Sequence, residues 1–446
     1  MSITRKLKTT LSHSPLSELL NFLYTYACYR YIFHFARTGR AELFQRRQTA
    51  IILSYARQHS RYFGGLLKPW NRITEANAIE VLHSLPVLDK AIIRREGKRI
   101  FSDETDPEKS PRISTGGSSG SPLYFPMLHS PLKFEAVHQY YLRRRMGWRF
   151  DRPMAAIGGF TPSDEDLRQH RYYSDARANF PYGKYVFSCF HINDETVNYY
   201  IEALNRIRPA ILVSYPSALA ELAASAMRRG LRLTFPLTAV YVTSENFTDR
   251  DYHTIRQFLS CPIWEQYGQT EAGIFAWRQE HETCLTVSPL YGYTEVLDEE
   301  TLRPVKVGEK GEIFVTGFHN RGLPFIRYAT GDYAVYQGRR EDGAILISRL
   351  QGRTGDYLIG ADGQKVFVAG LNHYRAFDRM ASWQMEQSEK GVVVMRIIRD
   401  TGFSEADEEE LRREFGSKHL TIRFEYPAEI AKSRRGKRIF VIQHLK

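Results

Sequence analysis

Cysteine is nearly absent from this chain. Only Cys28, Cys189, Cys261 and Cys284 occur among 446 residues, far apart and never as a CxxC pair. That excludes a disulfide framework and a zinc ribbon, and it fits a reducing compartment. Long apolar runs are missing too. A spanning helix needs roughly 18 uninterrupted apolar residues, and the nearest stretch, 16–35, is broken by Asn21, Arg30 and His34. Arg5, Lys6 and Lys8 resemble a signal n-region, but no compact apolar stretch with a small-residue cleavage site follows. The expectation is a cytoplasmic protein. There is no internal repeat and no long low-complexity linker. What is present is a globular composition: 43% hydrophobic, 25% charged, 13% aromatic. A chain of this length suggests two or three domains and buries large cores without covalent staples.

Acidic residues are outnumbered, 50 against 62 basic ones, for a net charge of +12. The surplus is uneven. Residues 1–61 hold ten Lys and Arg against Glu18 and Glu42, which is +8 of the +12. Such a face attracts phosphate, nucleic acid or an anionic membrane surface, or it is simply a solvated helical face. Ser14-Pro15 suits a helix start, and Leu16, Leu19, Leu20, Leu23, Tyr26 and Ala27 recur at helical spacing. Tyr24, Tyr31 and Phe35 lie on the other side. This helix therefore packs on the body or lies at a membrane interface. A second helix is expected over 41–58.

Between 86 and 350 short apolar runs alternate with amphipathic stretches. Strands are expected at 155–157, 210–213, 239–243 and 263–266, with helices at 194–207, 217–229 and 249–258 between them. That alternation predicts an α/β fold with a parallel sheet. From 292 the texture becomes hairpin-like, with strands at 294–297, 312–316 and 344–348. The C-terminal residues read as a small α+β unit: strand 392–398, helix 404–415, strand 420–426, a basic loop and strand 438–443. The expected architecture is an α/β large domain over 1–351, with mixed and parallel sheets flanked by helices plus a β subdomain and with a helical, basic start to about residue 60, and a separate small α+β unit over 352–446.

Five motifs carry possible chemistry. Ser114-Thr115-Gly116-Gly117-Ser118-Ser119-Gly120 is a phosphate loop by composition, because glycines let backbone N–H groups converge on an anion and hydroxyls add donors. It is not a Walker A loop, since no Lys-Ser/Thr follows the last glycine; read alone, it is equally a flexible surface loop. Tyr267-Gly268-Gln269-Thr270-Glu271 follows a buried strand, where ligands of open α/β sheets sit. Thr330-Gly331-Asp332 offers a carboxylate after a glycine turn. Gly352-Arg353-Thr354-Gly355-Asp356 marks the domain boundary. Lys432-Ser433-Arg434-Arg435-Gly436-Lys437 is a basic loop between strands. In isolation, the last three also read as ordinary turns or a solvated basic run.

In this order and spacing the set resembles the adenylate-forming superfamily of acyl-CoA synthetases, luciferase-like enzymes and peptide-synthetase adenylation domains. The resemblance runs from about residue 85 to the C-terminus. Leu85-Pro86-Val87-Leu88-Asp89-Lys90, Ser214-Tyr215-Pro216-Ser217-Ala218-Leu219-Ala220 and Thr243-Ser244-Glu245-Asn246 look like the phenylacetate–CoA ligase branch and its capsular polysaccharide biosynthesis relatives. The resemblance implies an AMP-forming ligase that uses ATP and Mg²⁺ to activate a small carboxylic acid and passes the acyl group to CoA; the alternative acceptor is an amine, and a third reading is a catalytically silent relative. It implies that Ser114, Thr115, Gly116, Gly117, Ser118, Ser119 and Gly120 hold phosphates, that Thr270 touches the α-phosphate and that Glu271 coordinates Mg²⁺. Ser244, Glu245, Tyr267 and Gly268 would border the nucleotide, Asp332 would hold the ribose with Arg353 nearby, and Lys437 would stabilise charge between carboxylate and α-phosphate. Residues 352–356 would be a hinge about which the C-terminal unit, a small mobile lid domain over 352–446, rotates. Three departures stand out: Leu123 replaces the lysine that often ends the phosphate loop, Gly355 occupies the usual hinge Asp or Lys position, and Ala431 stands where proline is common. Some relatives carry a Cys/His metal site after the second motif. Only His281 and Cys284 stand there, too few for structural zinc.

Overall fold

The computed structural model describes residues 15–106, 110, 112–114, 123–127, 130–149, 152–175, 185–350, 357–367, 375–399, 402–432 and 439–445. The helices before the sheet are α1 (Pro15–Arg37), α2 (Ala41–His59), α3 (Arg61–Leu66), α4 (Ala78–Ser84) and α5 (Lys90–Glu96). A short ribbon, β1 (Arg112–Ser114) and β2 (Tyr124–Pro126), comes next, and α6 (Ser130–Arg145) follows. Next come β3 (Met154–Gly158), α7 (Asp164–Arg168), β4 (Tyr173–Ser174), β5 (Tyr185–Ser188), α8 (Val197–Ile207), β6 (Ile211–Ser214), α9 (Pro216–Arg228), β7 (Ala239–Thr243), α10 (Asp249–Phe258) and β8 (Ile263–Gly268). The β-rich stretch is β9 (Phe275–Gln279), β10 (Leu285–Val287), β11 (Gly292–Leu297), β12 (Lys310–Gly317), β13 (Tyr328–Arg339) and β14 (Ile345–Ile347). The chain ends in β15 (Tyr357–Ile359), β16 (Lys365–Phe367), α11 (Arg375–Asp378), β17 (Met380–Glu389), β18 (Val392–Arg399), α12 (Glu405–Gly416), β19 (Thr421–Glu425) and β20 (Val441–Gln443).

One 12-stranded sheet runs β11-β12-β13-β14-β10-β9-β8-β7-β6-β3-β5-β4. Strands β5, β3, β6, β7 and β8 are parallel, as the strand–helix alternation predicts. The hairpin-like strands do not form a detached sheet. They continue this one through antiparallel pairing of β8 with β9, β9 with β10 and β10 with β14. Each central strand buries both faces, because successive side chains point to opposite sides. Ala155, Ile157, Leu212, Val240 and Val242 enter the core shared with α8 and α9. Their neighbours Met154, Ala156, Ile211, Val213 and Tyr241 enter the core shared with α1 and α6. The small sheet, β19-β18-β17-β20, has its own core around Trp383, Met385, Met395, Leu411 and Phe415.

Segment 85–90 docks by main-chain pairing. Leu88 N–H donates to Arg327 O, and Ala329 N–H donates to Leu88 O. Asp89 caps α5, its Oδ1 accepting from Ile92 N–H at 2.6 Å. Buried Arg327 locks the arrangement, pairing with Glu295 at 3.1 Å and donating to Leu85 O at 2.7 Å. Among the described residues no helix is long and apolar enough to cross a membrane.

Candidate active site at the carboxyl edge of the parallel strands

The order β5-β3-β6 reverses the direction in which the sheet is laid down. Ligand crevices of open α/β sheets lie outside the carboxyl ends of strands at such a point. Strands β3, β6, β7 and β8 end there at Gly158, Ser214, Thr243 and Gly268. The turn after β3 is tight: Phe160 N–H and Cys189 N–H both donate to Gly158 O. Thr243 Oγ1 donates to Gln266 Oε1 at 2.5 Å, tying the ends of β7 and β8 together.

Two motifs 65 residues apart meet at this edge. Tyr267 Oη donates to Asp332 Oδ2 at 2.7 Å. Gln269 Nε2 donates to Tyr267 Oη at 2.8 Å and to Asp332 Oδ2 at 3.0 Å. The next acid is held from the same strand: Tyr328 Oη donates to Glu271 Oε1 at 3.3 Å. Asp332 is fully buried and Glu271 is 7% exposed. A buried carboxylate needs such donors, because an ionised group without them is strongly disfavoured.

Each residue of Thr330-Gly331-Asp332 has a local reason. Thr330 Oγ1 donates to Ile313 O at 2.7 Å and accepts from Asp332 N–H at 3.0 Å. Gly331 has φ +73°, a conformation that disfavours side chains. Its N–H donates to Glu312 Oε1 at 3.0 Å. The β12–β13 register shifts between Glu312 and Phe314, a bulge of the kind that re-aims side chains near sites. Burial pushes the Glu312 carboxyl up to about 7 against the Gly331 bond, and Glu299, Asp332 and Asp89 push it the same way as burial.

Ser244 and Glu245 stand at the end of β7. Ser244 is left-handed, with φ +73°. Glu245 Oε2 accepts from Ser217 N–H at 3.2 Å, in the first turn of α9, where a negative charge also meets the helix dipole. This gives Ser214-Tyr215-Pro216-Ser217 and Thr243-Ser244-Glu245 one shared task. The basic loop begins at the same edge. Lys432 Nζ lies 3.2 Å from Glu221 on α9. It also lowers the thiol pKa of Cys189, although burial still pushes that thiol up to about 11.

Of the expected site residues, Tyr267, Gly268, Thr270, Glu271, Ser244, Glu245 and Asp332 are gathered here. Ser114 ends β1. Thr115, Gly116, Gly117, Ser118, Ser119, Gly120, Arg353, Lys437 and the 352–356 hinge lie outside the described residues. Sequence reasoning passed over three participants. Gln269 sits inside the second motif as its variable position and was given no role. Tyr328 opens the strand of the third motif, and its hydroxyl was likewise unassigned. Glu312 carries no local signal, because only the β12–β13 pairing brings it under Gly331.

A family model described as AMP-binding enzyme matches residues 187–320, which hold the second motif and most of the parallel sheet. The chain is 23% identical over 410 residues to Protein CapK of Staphylococcus aureus, covering 88% of this chain and 87% of CapK. The chain is therefore similar to AMP-binding enzymes over the residues around the second motif, and to CapK along most of its length. Its fold is that of 2-hydroxyisobutyryl-CoA ligase in the postadenylation state with an acyl-AMP bound. The TM-score is 0.66 at 16% identity, over 91% of this chain and 90% of that one. Against the same ligase in its thioesterification state, with 2-HIB-AMP and CoA, the TM-score is 0.53 at 15% identity, over 92% and 90%.

Proposed function

We propose that this enzyme activates a small carboxylic acid as its acyl-adenylate and then transfers the acyl group to the thiol of CoA. A carboxylate is a poor electrophile because its leaving group is oxide. In the first step a carboxylate oxygen attacks the α-phosphorus of ATP, the bond to the β-phosphate oxygen breaks, and pyrophosphate leaves. In the second, the thiol sulfur attacks the acyl carbon, the bond to AMP breaks, and the thiol proton is released. The first step asks the protein for positioning and charge neutralisation.

The observation that carries this reading is the Tyr267–Gln269–Asp332 cluster beside Glu271 at the carboxyl edge. Asp332 accepts the ribose hydroxyls, and the Tyr267 and Gln269 donors hold its carboxylate in place. Thr270 donates to the α-phosphate, with Ser244, Glu245 and Gly268 beside the nucleotide. Residues 114–120 hold the outer phosphates. Lys437 meets the charge that develops between carboxylate and α-phosphate, with Arg353 near the ribose. Glu271 fits one position of a magnesium ion, because a carboxylate oxygen suits a hard cation whose other ligands are phosphates and water. Among the described residues no three His, Cys, Asp or Glu cluster as a complete metal cage. When bound, magnesium neutralises phosphate charge. Residues 1–351 and 352–446 act as two domains, and rotation about 352–356 exchanges the two half-reactions.

Carboxylate-dependent ATP–pyrophosphate exchange across aryl, fatty, hydroxy and amino acids tests the first step, with Lys437→Ala as control. Exchange with one acid class, lost in Lys437→Ala, is the expected result. Exchange with no acid in the panel sinks the adenylation reading. Product analysis with CoA or an amine then separates thioester from amide transfer.

A further inference from the structure

Helix α1 packs on α6 by one side only. Phe33 stacks on Tyr141 at 4.0 Å between ring centroids, and Tyr29 meets Tyr140 edge-on at 5.1 Å. Thr25 and Ile32 are buried on that same side. The other side faces solvent and is not the usual polar surface. Tyr31 is 55% exposed, Tyr24 52% and Leu23 50%. With about 3.6 residues per turn, Arg30, His34 and Arg37 fall along the middle of the exposed arc. Tyr26 flanks them on one side, Tyr24 and Tyr31 on the other. No Asp or Glu occurs from Leu19 to Gly39.

The neighbourhood extends the pattern. Lys133 on α6 lies over the Tyr24 ring at 5.3 Å, and Leu132 beside it is exposed. Arg144 on the same helix acts on Tyr140, the ring that Tyr26 meets edge-on. The basic sequence Arg5-Lys6-Leu7-Lys8 precedes this helix. A row of cations bounded by tyrosines matches one environment in particular. Phosphate headgroups lie level with arginine heads, and the interfacial layer just below takes amphipathic rings. Nucleic acid would account for the cations but leave the leucines unused. An apolar protein surface would leave the uncompensated positive charge unanswered.

We propose that the exposed face of α1, with the start of α6, docks the enzyme peripherally on an anionic lipid surface. The helix lies in the plane of the headgroups, Arg30 and Arg37 meeting lipid phosphates and Tyr24, Tyr26, Tyr31 and Leu23 entering the interfacial layer. Attraction of this kind falls off within a Debye length and weakens with salt.

The test is co-sedimentation of the full chain with vesicles of phosphatidylcholine alone and of phosphatidylcholine mixed with phosphatidylglycerol, at low and high salt. The expected result is pelleting with the anionic vesicles only, reversed by salt. Arg30→Glu with Arg37→Glu is expected to abolish it, and Tyr24→Ser with Tyr31→Ser to weaken it at least tenfold. Arg30→Lys with Arg37→Lys is expected to retain it. Circular dichroism and melting temperature check that each variant is folded, and all six substitutions fall on exposed side chains. No pelleting with anionic vesicles overturns the proposal, as does pelleting unchanged in both loss variants. Binding to duplex DNA without pelleting overturns it as well.

Discussion

At the scale of single residues, the site depends on carboxylates held out of water by hydroxyl and amide donors. Tyr267 Oη and Gln269 Nε2 share one oxygen of Asp332. A hydrogen bond to a charged group contributes about 1.5–3 kcal/mol. Tyr267→Phe is therefore expected to weaken nucleotide binding by roughly tenfold or more while the ring still fills its place, as measured by titration with a non-hydrolysable ATP analogue. Unchanged affinity would separate this tyrosine from the nucleotide site. Glu312 brings a pH dependence. Its carboxyl is raised from 4.5 to about 7, chiefly by burial. The folded state thus keeps a proton that the unfolded state has released. The stabilisation is complete below about 4.5 and is lost as pH rises through about 7. Glu312→Gln cannot titrate, so its melting temperature is expected to fall less than wild type over that window.

At the scale of elements, the loop after β8 is held by close backbone packing against β11 and β12. A Cβ at Gly292 would lie 2.1 Å from Gly273 O and 3.0 Å from Thr316 O. Gly292→Ala therefore forces β11 away from the loop that carries Thr270 and Glu271. Overpacking of this kind typically costs about 1–3 kcal/mol. The expected outcome is a lower melting temperature together with weaker pyrophosphate exchange. Loss of stability with normal exchange per folded molecule would show that the loop does not follow β11. The same elements explain why helix α9 starts where it does. Pro216 at its first turn has no N–H to satisfy, and the Ser217 N–H is capped by Glu245 from a different strand.

At the scale of the whole molecule, a continuous sheet carries the residues gathered at the carboxyl edge, and a small sheet with its own core lies against α9 and α10. Among the described residues, Lys432 pairs with Glu221 and Arg250 donates to Met380 O across the two. Lys432 and Glu221 are about 40% exposed, and exposed ion pairs contribute about 0–1 kcal/mol. Contacts this weak suit the proposed rotation of the small unit between half-reactions. Glu221→Gln is expected to shift the urea midpoint slightly, by less than about 1 kcal/mol in stability. A larger loss would mean the small unit is fastened at this point and is not free to rotate.

Local chemistry was readable from the chain alone. Strands β3, β6, β7 and β8 and helices α9 and α10 follow from apolar runs alternating with amphipathic stretches, since burial on both faces imposes that pattern. The motifs Tyr267–Glu271 and Thr330–Asp332 were recognisable because their residues stand within a few positions of one another in the chain. Other features were not. β17 and β13 escaped notice because polar residues interrupt them, and their pairing with β18 and β12 is what makes them strands. The roles of Gln269, Tyr328 and Glu312 arise from partners 19 to 63 residues away. No local pattern encodes such distances. The joining of the hairpin strands to the parallel sheet, and the one-sided packing of α1 that leaves its tyrosines and arginines in solvent, were decided only by the tertiary structure. Both depend on which of several apolar faces finds a partner, and that is settled by packing across the whole molecule.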